Sequence, residues 1–339
     1  MREMEDRAGQ ENPRANPGGE SRERMLKLVV LGAGNHSQGN HLPTLAHYVA
    51  QHPGEVELAA LCDLRREHAE LMAARYGFAR VYTDLEEMLH RERPHGCIAV
   101  TPIPITAQIA AQVIQAGVPL CMEKPPGATV AEAREIVKLA ARSGTRVMVS
   151  MNRRFDPALR KGLAWRGDRP LTYLRASIVR VNRGEPGFMT DTAIHPLDTM
   201  RAIAGDVKDC EVQAREVEGV HWFVVRPVFE NGALGCLEVL PTAGSMVESY
   251  EIYGPGYRVF VRTGAYDAGD VRCWEEGRLV VEEEVAQGMP DFVRNGTYDE
   301  TVEFIAALRE NRVPHPSPAQ VLQSVELCHR IVEGYRVGR

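Results

Sequence analysis

The fold of this chain turns on Leu26-Lys27-Leu28-Val29-Val30-Leu31, followed by Gly32-Ala33-Gly34 and the polar run Asn35-His36-Ser37-Gln38-Gly39-Asn40. A short, mostly apolar run of this kind reads as a strand buried on both faces. Two glycines at its end let the backbone turn and come close to a pyrophosphate, whose charge then meets a helix N-terminus. Gly-x-Gly alone marks many ordinary turns, so context decides. Here it follows the first strand of a repeating unit, and Asp63 ends the second apolar run, Val56–Cys62. A carboxylate there can accept both ribose hydroxyls of an adenosine and would repel a 2′-phosphate. The reading is a dinucleotide site that prefers NAD, with Gly32, Gly34, Asn35, His36, Ser37 and Asp63 among its contacts. Arg65 and Arg66 keep NADP open. Strict counting puts Ser37 in the third glycine position of the fingerprint; an insertion would give that role to Gly39. A helix begun at Ser37 would carry Pro43 past its first turn, at about 3 kcal/mol. A start near Asn40 places the proline where its missing N–H costs nothing. An elongated phosphate loop is therefore expected, with the helix beginning near residue 40.

The same grammar continues to about residue 150. Apolar runs at Val56–Cys62, Cys97–Val100, Val118–Met122 and Val147–Val149 alternate with amphipathic stretches such as Arg65–Tyr76, Asp84–Arg91 and Val130–Arg142. Thr129 and Glu132 form a capping box for the last of these, and Ser143-Gly144 ends it. Repeated strand-helix-strand units make right-handed crossovers and a doubly wound parallel sheet. Beyond residue 152, longer mixed runs follow one another: Leu171–Val181, Glu211–Val217, Val220–Phe229, Leu234–Leu240, Val247–Tyr253 and Tyr257–Val261. Asn231-Gly232 is a strong hairpin signal, and Glu276-Gly277 reads as another turn. Helices are expected at Asp191–Ala204, Thr297–Glu310 and from Ser317, where Ser317, Pro318 and Gln320 supply cap, first-turn proline and capping-box partner. The fold class is α/β. A Rossmann domain over 25–150 precedes an α+β domain over 151–339 with a large, mostly antiparallel open sheet for substrate binding and oligomerisation.

The chain has 339 residues, 40 Lys+Arg against 46 Asp+Glu, and a net charge of -6. No basic excess suggests a nucleic-acid partner. No apolar run reaches the roughly 18 residues of a membrane span, and no secretory signal is visible at the N-terminus. Residues 1–24 carry 11 charges between prolines and glycines and read as a disordered tail. Seven cysteines without a Cys-x-x-Cys pair suit a reducing cytoplasm. His36, His41, His47 and His52 match no usual zinc spacing and have no thiol or carboxylate beside them, so they read as surface or loop histidines with no metal.

Two further clusters carry chemistry. Glu123-Lys124-Pro125-Pro126 leaves the end of a strand, where open α/β sheets bind ligands, and presents a lysine from a stiffened backbone. Exposed lysines before proline turns are also common. In Asp191-Thr192-Ala193-Ile194-His195-Pro196-Leu197-Asp198, Asp191 and His195 would share a helix face, the carboxylate orienting an imidazole suited to proton transfer. A helix cap above an unrelated histidine would give the same spacing.

Taken together, Gly32-Ala33-Gly34, Leu61-Cys62-Asp63, Thr83-Asp84-Leu85, Thr101-Pro102, Glu123-Lys124-Pro125, Asn152-Arg153-Arg154-Phe155 and the Asp191, His195, Asp198 segment resemble the Gfo/Idh/MocA family of NAD(P)-dependent oxidoreductases. The resemblance runs from about residue 26 to the C-terminus. It implies catalytic roles for Lys124, for Asp191 as a substrate-orienting carboxylate and for His195 as general acid/base. It also implies cofactor contacts at Thr101, Pro102, Glu123 and Lys124, and a homodimer or homotetramer built on the open sheet. The expected reaction is hydride exchange between NAD(P) and a secondary alcohol or carbonyl of a sugar, inositol or related polyol. Arg153, Arg154, Arg180 and Arg183 lie near the expected cleft, where one of them would hold an anionic or polyhydroxyl substrate, and Arg153 is the favoured contact. Departures from the family pattern are the lengthened phosphate loop and Ala193, where many members have glycine. A non-catalytic NAD(P)-binding regulator and an NAD-dependent glycosidase are the rival readings.

Overall fold

Residues 25–337 are described by a computed structural model; the tail expected over 1–24 lies outside them. Six strands, β1 (Leu26–Leu31), β2 (Val56–Cys62), β3 (Arg80–Tyr82), β4 (Gly96–Ala99), β5 (Leu120–Met122) and β6 (Val147–Val149), form a parallel sheet in the order β3-β2-β1-β4-β5-β6. Leu28, Val29, Val30 and Leu120 are fully buried, as strands covered on both faces require. The order reverses between β1 and β4, and ligands of such sheets bind outside the strand ends at that crevice. Gly32 leaves β1 there, Val100 and Thr101 leave β4, and Glu123 and Lys124 leave β5.

The start of the first crossover differs from the expected long loop. A five-residue helix α1 (Asn35–Gly39) follows Gly34 directly, breaks at Asn40 (φ -130°, ψ -73°), and a second helix α2 (His41–Gln51) begins at His41. Pro43 therefore does sit in a first turn, as its missing donor demands, but the segment before it is a turn of helix rather than loop. The remaining crossovers contain α3 (Arg66–Tyr76), α4 (Leu85–Glu92), α5 (Ile103–Gln115) and α6 (Val130–Ser143). The capping box of Thr129 and Glu132 is formed, and Gly144 takes the left-handed backbone that stops α6.

After β6 a short turn at Asn152–Phe155 leads into α7 (Pro157–Arg166), whose N-terminus Asp156 caps through the N–H groups of Ala158 and Leu159. An eight-stranded sheet follows: β7 (Tyr173–Val179), β8 (Val207–Val217), β9 (Val220–Phe229), β10 (Leu234–Leu240), β11 (Val247–Gly254), β12 (Tyr257–Arg262), β13 (Gly269–Glu275) and β14 (Arg278–Val285), in the order β14-β13-β12-β11-β7-β10-β9-β8. All its pairings are antiparallel except β7 with β10. β7, β11 and β12 alternate buried and half-buried residues, so one face lies under helices. Gly162 lets α7 press onto that face, since a Cβ there would stand 2.9 Å from Val259.

Helix α8 (Ile194–Ala204) begins three residues later than expected. Phe188–Thr192 forms a single wide turn in which the Ala193 N–H donates to the Phe188 carbonyl at 2.8 Å. Pro196 explains the late start: it falls in the first turn of α8, where it needs no donor. Asp191 thus lies before the helix that carries His195, not one α-turn below it. A short α9 (Asp291–Arg294) precedes α10 (Thr297–Arg309) and α11 (Pro318–Val337). Phe304 and Leu308 of α10 close over Gly96 of β4, which has no room for a side chain, so the C-terminal part returns to the parallel sheet. Among the described residues no helix is long and apolar enough to cross a membrane.

Candidate active site

Gly32 has φ +96°, and a Cβ on it would lie 2.0 Å from the Val100 carbonyl oxygen. The close approach of the two strand ends therefore requires glycine. Gly34 has ordinary extended backbone, and a Cβ there would meet nothing within 4 Å, leaving its face open for a phosphate. Ser37 fills the third small position with 0% exposure. Asp63 accepts from the Ala33 N–H at 2.9 Å and from the Arg65 N–H at 3.0 Å, and Arg65 Nε reaches it at 3.1 Å. Burial raises the Asp63 carboxyl, but Arg65 and these N–H groups together hold it below its ordinary value. It is an anchored carboxylate at the end of β2. A cavity of about 320 Å³ opens beside this loop, lined among others by Gly34, Asn35, His36, Ser37, Thr101, Pro102, Glu123 and Lys124. The glycine cradle and the open face over Gly34 fit a dinucleotide.

The histidine reading needs correction. His41 is 3% exposed, and its Nε2 lies 2.7 Å from Glu123 Oε1, which also meets His36 Nε2 at 3.1 Å. The carboxylate partner is more than 80 residues away in sequence, out of sight of any spacing rule. Burial alone would raise the Glu123 carboxyl, but the two imidazoles hold it well below its usual range, and Glu123 in turn raises His36. The three ligand atoms lie within 4.8 Å of one another, the spacing a cation site would need, and the contacts are those of hydrogen bonds. His47 packs edge-on against Phe292 and Tyr298, and His52 stacks on Tyr48.

Lys124 extends from the end of β5 across the crevice and donates from Nζ to the Asp191 carbonyl at 2.5 Å. Burial lowers the Lys124 ammonium, against the opposing pull of Glu123 and Asp191. The Asp191 carboxylate accepts from the Thr190 hydroxyl at 2.8 Å and packs over Gly187, where a Cβ would come within 2.4 Å of it. No hydrogen bond joins Asp191 to His195 among the described residues. The buried Nδ1 of His195 has no partner. Burial first, then the charges of Lys124 and Arg153, push the imidazole well below its ordinary value, so it is neutral at pH 7.

The four arginines part company. Arg154 forms a two-pronged pair with buried Asp198 at 2.6 and 2.8 Å, and Arg180 lies wholly buried against Glu248 at 2.8 Å. Both are structural. Arg183 sits at the rim on Glu185 and Thr192. Arg153, 11% exposed, donates from Nε to Glu248 at 3.2 Å and lies close enough to Lys124 and His195 to lower both. Sequence reasoning missed His41, Thr190 and Glu248. His41 is visible only as one of four spaced histidines, and Glu248 only as one of two glutamates in the strand Val247–Gly254.

The family model described as an oxidoreductase family with an NAD-binding Rossmann fold, GFO_IDH_MocA, matches residues 26–151. The 4-carboxy-2-hydroxymuconate-6-semialdehyde dehydrogenase of Sphingobium is 27% identical over 328 residues, covering 91% of this chain and 96% of that protein. The D-apiose dehydrogenase of Paraburkholderia graminis is 29% identical over 197 residues, 54% of this chain and 51% of its own. A solved dehydrogenase from Chromobacterium violaceum superposes with a TM-score of 0.83 at 18% identity, covering 93% and 96% of the two chains. With the glycine cradle at the strand-order reversal, residues 26–151 are similar to the NAD-binding Rossmann fold of the Gfo/Idh/MocA oxidoreductase family, and the chain as a whole shares the two-sheet fold of the solved dehydrogenase.

Proposed function

We propose that the protein exchanges a hydride between NAD and a secondary alcohol, or the matching carbonyl, of a sugar, inositol or related polyol. One observation carries the reading: Lys124, from the nucleotide-binding half, reaches the Asp191 carbonyl just ahead of the helix that presents an unpartnered His195. The Gly32–Ser37 loop, Asp63, Thr101 and Pro102 would hold NAD, which when bound supplies the hydride acceptor. In the oxidation direction His195, neutral and without a competing donor, accepts the hydroxyl proton. Lys124 donates a hydrogen bond to the same oxygen and stabilises the negative charge that develops there. Asp191, held by Thr190, orients a neighbouring hydroxyl. The names of the two relatives, one a sugar dehydrogenase and the other acting on a carboxylated semialdehyde, support a small oxygen-rich substrate.

The test is NADH formation across a panel of sugars, sugar acids and inositols, with wild type, His195→Ala and Lys124→Ala. Loss of the base should cost about 10²–10⁴-fold in turnover, and near-full rates in either variant remove its assigned role. Seven cysteines, all free, support a reducing cytoplasmic setting. The open sheet face supports a homodimer or homotetramer, which light scattering would reveal as a multiple of 37.6 kDa.

A further inference from the structure

We infer that His68 is a positioning residue for the dinucleotide: from outside the phosphate loop it holds the Ala33 carbonyl, and through that carbonyl it aims the Gly34 N–H at the pyrophosphate. This role rests on the reading of Gly32–Ser37 as the pyrophosphate cradle. A long first helix would steady such a loop through its own ladder of hydrogen bonds. Here α1 lasts five residues before the chain breaks at Asn40, so the loop needs another support. Helix α3 supplies it. His68, in the first turn of α3, donates from Nε2 to the Ala33 carbonyl at 2.8 Å, and Tyr76, its last residue, donates to the Gln38 carbonyl at 3.3 Å. The Gln38 side-chain amide donates to the same Ala33 oxygen at 2.9 Å. That oxygen can only accept, so Nε2 of His68 carries a hydrogen in either charge state of the ring.

Peptide geometry turns this grip into a direction. The Ala33 N–H donates to Asp63 at 2.9 Å, while the Ala33 carbonyl is taken by His68 and Gln38. The peptide planes on both sides of Ala33 are therefore pinned, which fixes the two soft dihedrals between them. The Ala33–Gly34 bond is not among the cis peptides, so the Gly34 N–H points away from the held carbonyl. Among the described residues no hydrogen bond occupies that N–H. Gly34 lines the cavity of about 320 Å³ beside Asn35, His36 and Ser37, and a Cβ on it would meet nothing within 4 Å. A backbone donor aimed beforehand needs no ordering when an anion arrives, and a hydrogen bond to a charged oxygen is a strong one. Without His68 the Ala33 carbonyl keeps only Gln38, which rides on the same short helix and moves with the loop it would have to hold.

ADP and adenosine differ only in the pyrophosphate, so they separate this role from a structural one. Each is titrated as a competitor of NADH on the full chain, read by nucleotide fluorescence, beside a urea unfolding curve. In His68→Phe, which keeps a ring and removes the donor, ADP and NADH should bind about 5–10-fold more weakly, the worth of one hydrogen bond, and adenosine as in wild type. His68→Gln sets an amide nitrogen as many bonds from the backbone as Nε2 and should restore most of the ADP affinity. Wild-type ADP affinity in His68→Phe, or the same loss in His68→Gln, overturns the role of His68 and leaves the cradle standing. Equal losses for ADP and adenosine, with a lowered urea midpoint, make His68 a structural contact and overturn the role as well. A wild-type protein that binds ADP no better than adenosine overturns the cradle itself, and the role of His68 with it.

Discussion

Two glycines in one loop should respond to the same substitution in opposite ways. At Gly32 an alanine must keep φ +96°, worth about 1–2 kcal/mol for a residue with a Cβ. The methyl also begins 2.0 Å from the Val100 oxygen and has to retreat by more than 1 Å to reach ordinary contact, about 3 Å or beyond. Neither strand end yields freely, because the Gly32 N–H donates to the Cys62 carbonyl and the Val100 N–H to the Leu31 carbonyl, each at 2.8 Å. Losing one of these bonds adds about 1 kcal/mol. Gly32→Ala should therefore lose about 3–5 kcal/mol of stability, with NAD binding lost alongside. Gly34→Ala meets no atom within 4 Å and keeps backbone angles any residue adopts, so stability should stay within about 0.5 kcal/mol of wild type. Its methyl nonetheless occupies the face reserved for the pyrophosphate, and NADH affinity should drop by about 100-fold, roughly the value of two charge-assisted hydrogen bonds. Urea unfolding and NADH fluorescence titration on both variants decide the matter. Wild-type NADH affinity in a stable Gly34→Ala protein would refute the claim that this loop cradles the phosphates.

His195 is held well below its ordinary value, so its neutral, proton-accepting form persists on the acid side; the oxidation rate should stay level as pH falls through 6.5, and a half-fall at 6.5 or above contradicts a buried base. Glu300 is pushed up to about 8 by burial, with Ser150 donating to one oxygen and the other unpartnered. A raised carboxyl takes stability away as pH rises from its unfolded value near 4.5 through 8, so Glu300→Gln should gain up to about 4 kcal/mol at pH 7.5 and nothing at pH 4, read from urea midpoints. Arg154→Ala leaves buried Asp198 with only the Ser324 hydroxyl and a distant Arg201, and should cost about 3 kcal/mol in thermal unfolding while leaving KM unchanged. A shifted KM would return Arg154 to the substrate contacts.

What could be read without coordinates follows from how far each interaction reaches along the chain. β1, β2, β6, β9 and β10 fall where apolar runs and turn residues place them, because strand and turn preferences are local. The short β3, of which only half-buried and exposed residues remain, offers no apolar run and escapes notice. The two misplaced helix starts meet at prolines. Pro43 is read correctly as lying in a first turn and Pro196 is not weighed, and neither missing donor says anything about the preceding residues, which here coil into a short helix and a wide turn.

The site shows the same division more sharply. Lys124 and His195 stand out because their motifs are compact, whereas the groups that set their chemistry do not. Glu123 is defined by a histidine more than 80 residues away, and Arg153 by a glutamate 95 residues away on an inward-facing strand position. Val247–Tyr253 contains both Glu248 and Glu251, and period-2 alternation alone cannot say which faces the core, since a register slip of one residue exchanges them. The structure resolves it: Glu248 is buried on Arg153 and Arg180, while Glu251 serves the other face with Arg175 and Arg258. That one-residue choice decides which carboxylate position meets the two arginines. With the register slipped, Glu248 would face outward and Arg153 and Arg180 would lose the partner they share, so the anchoring of Arg153 depends on strand register as much as on any motif.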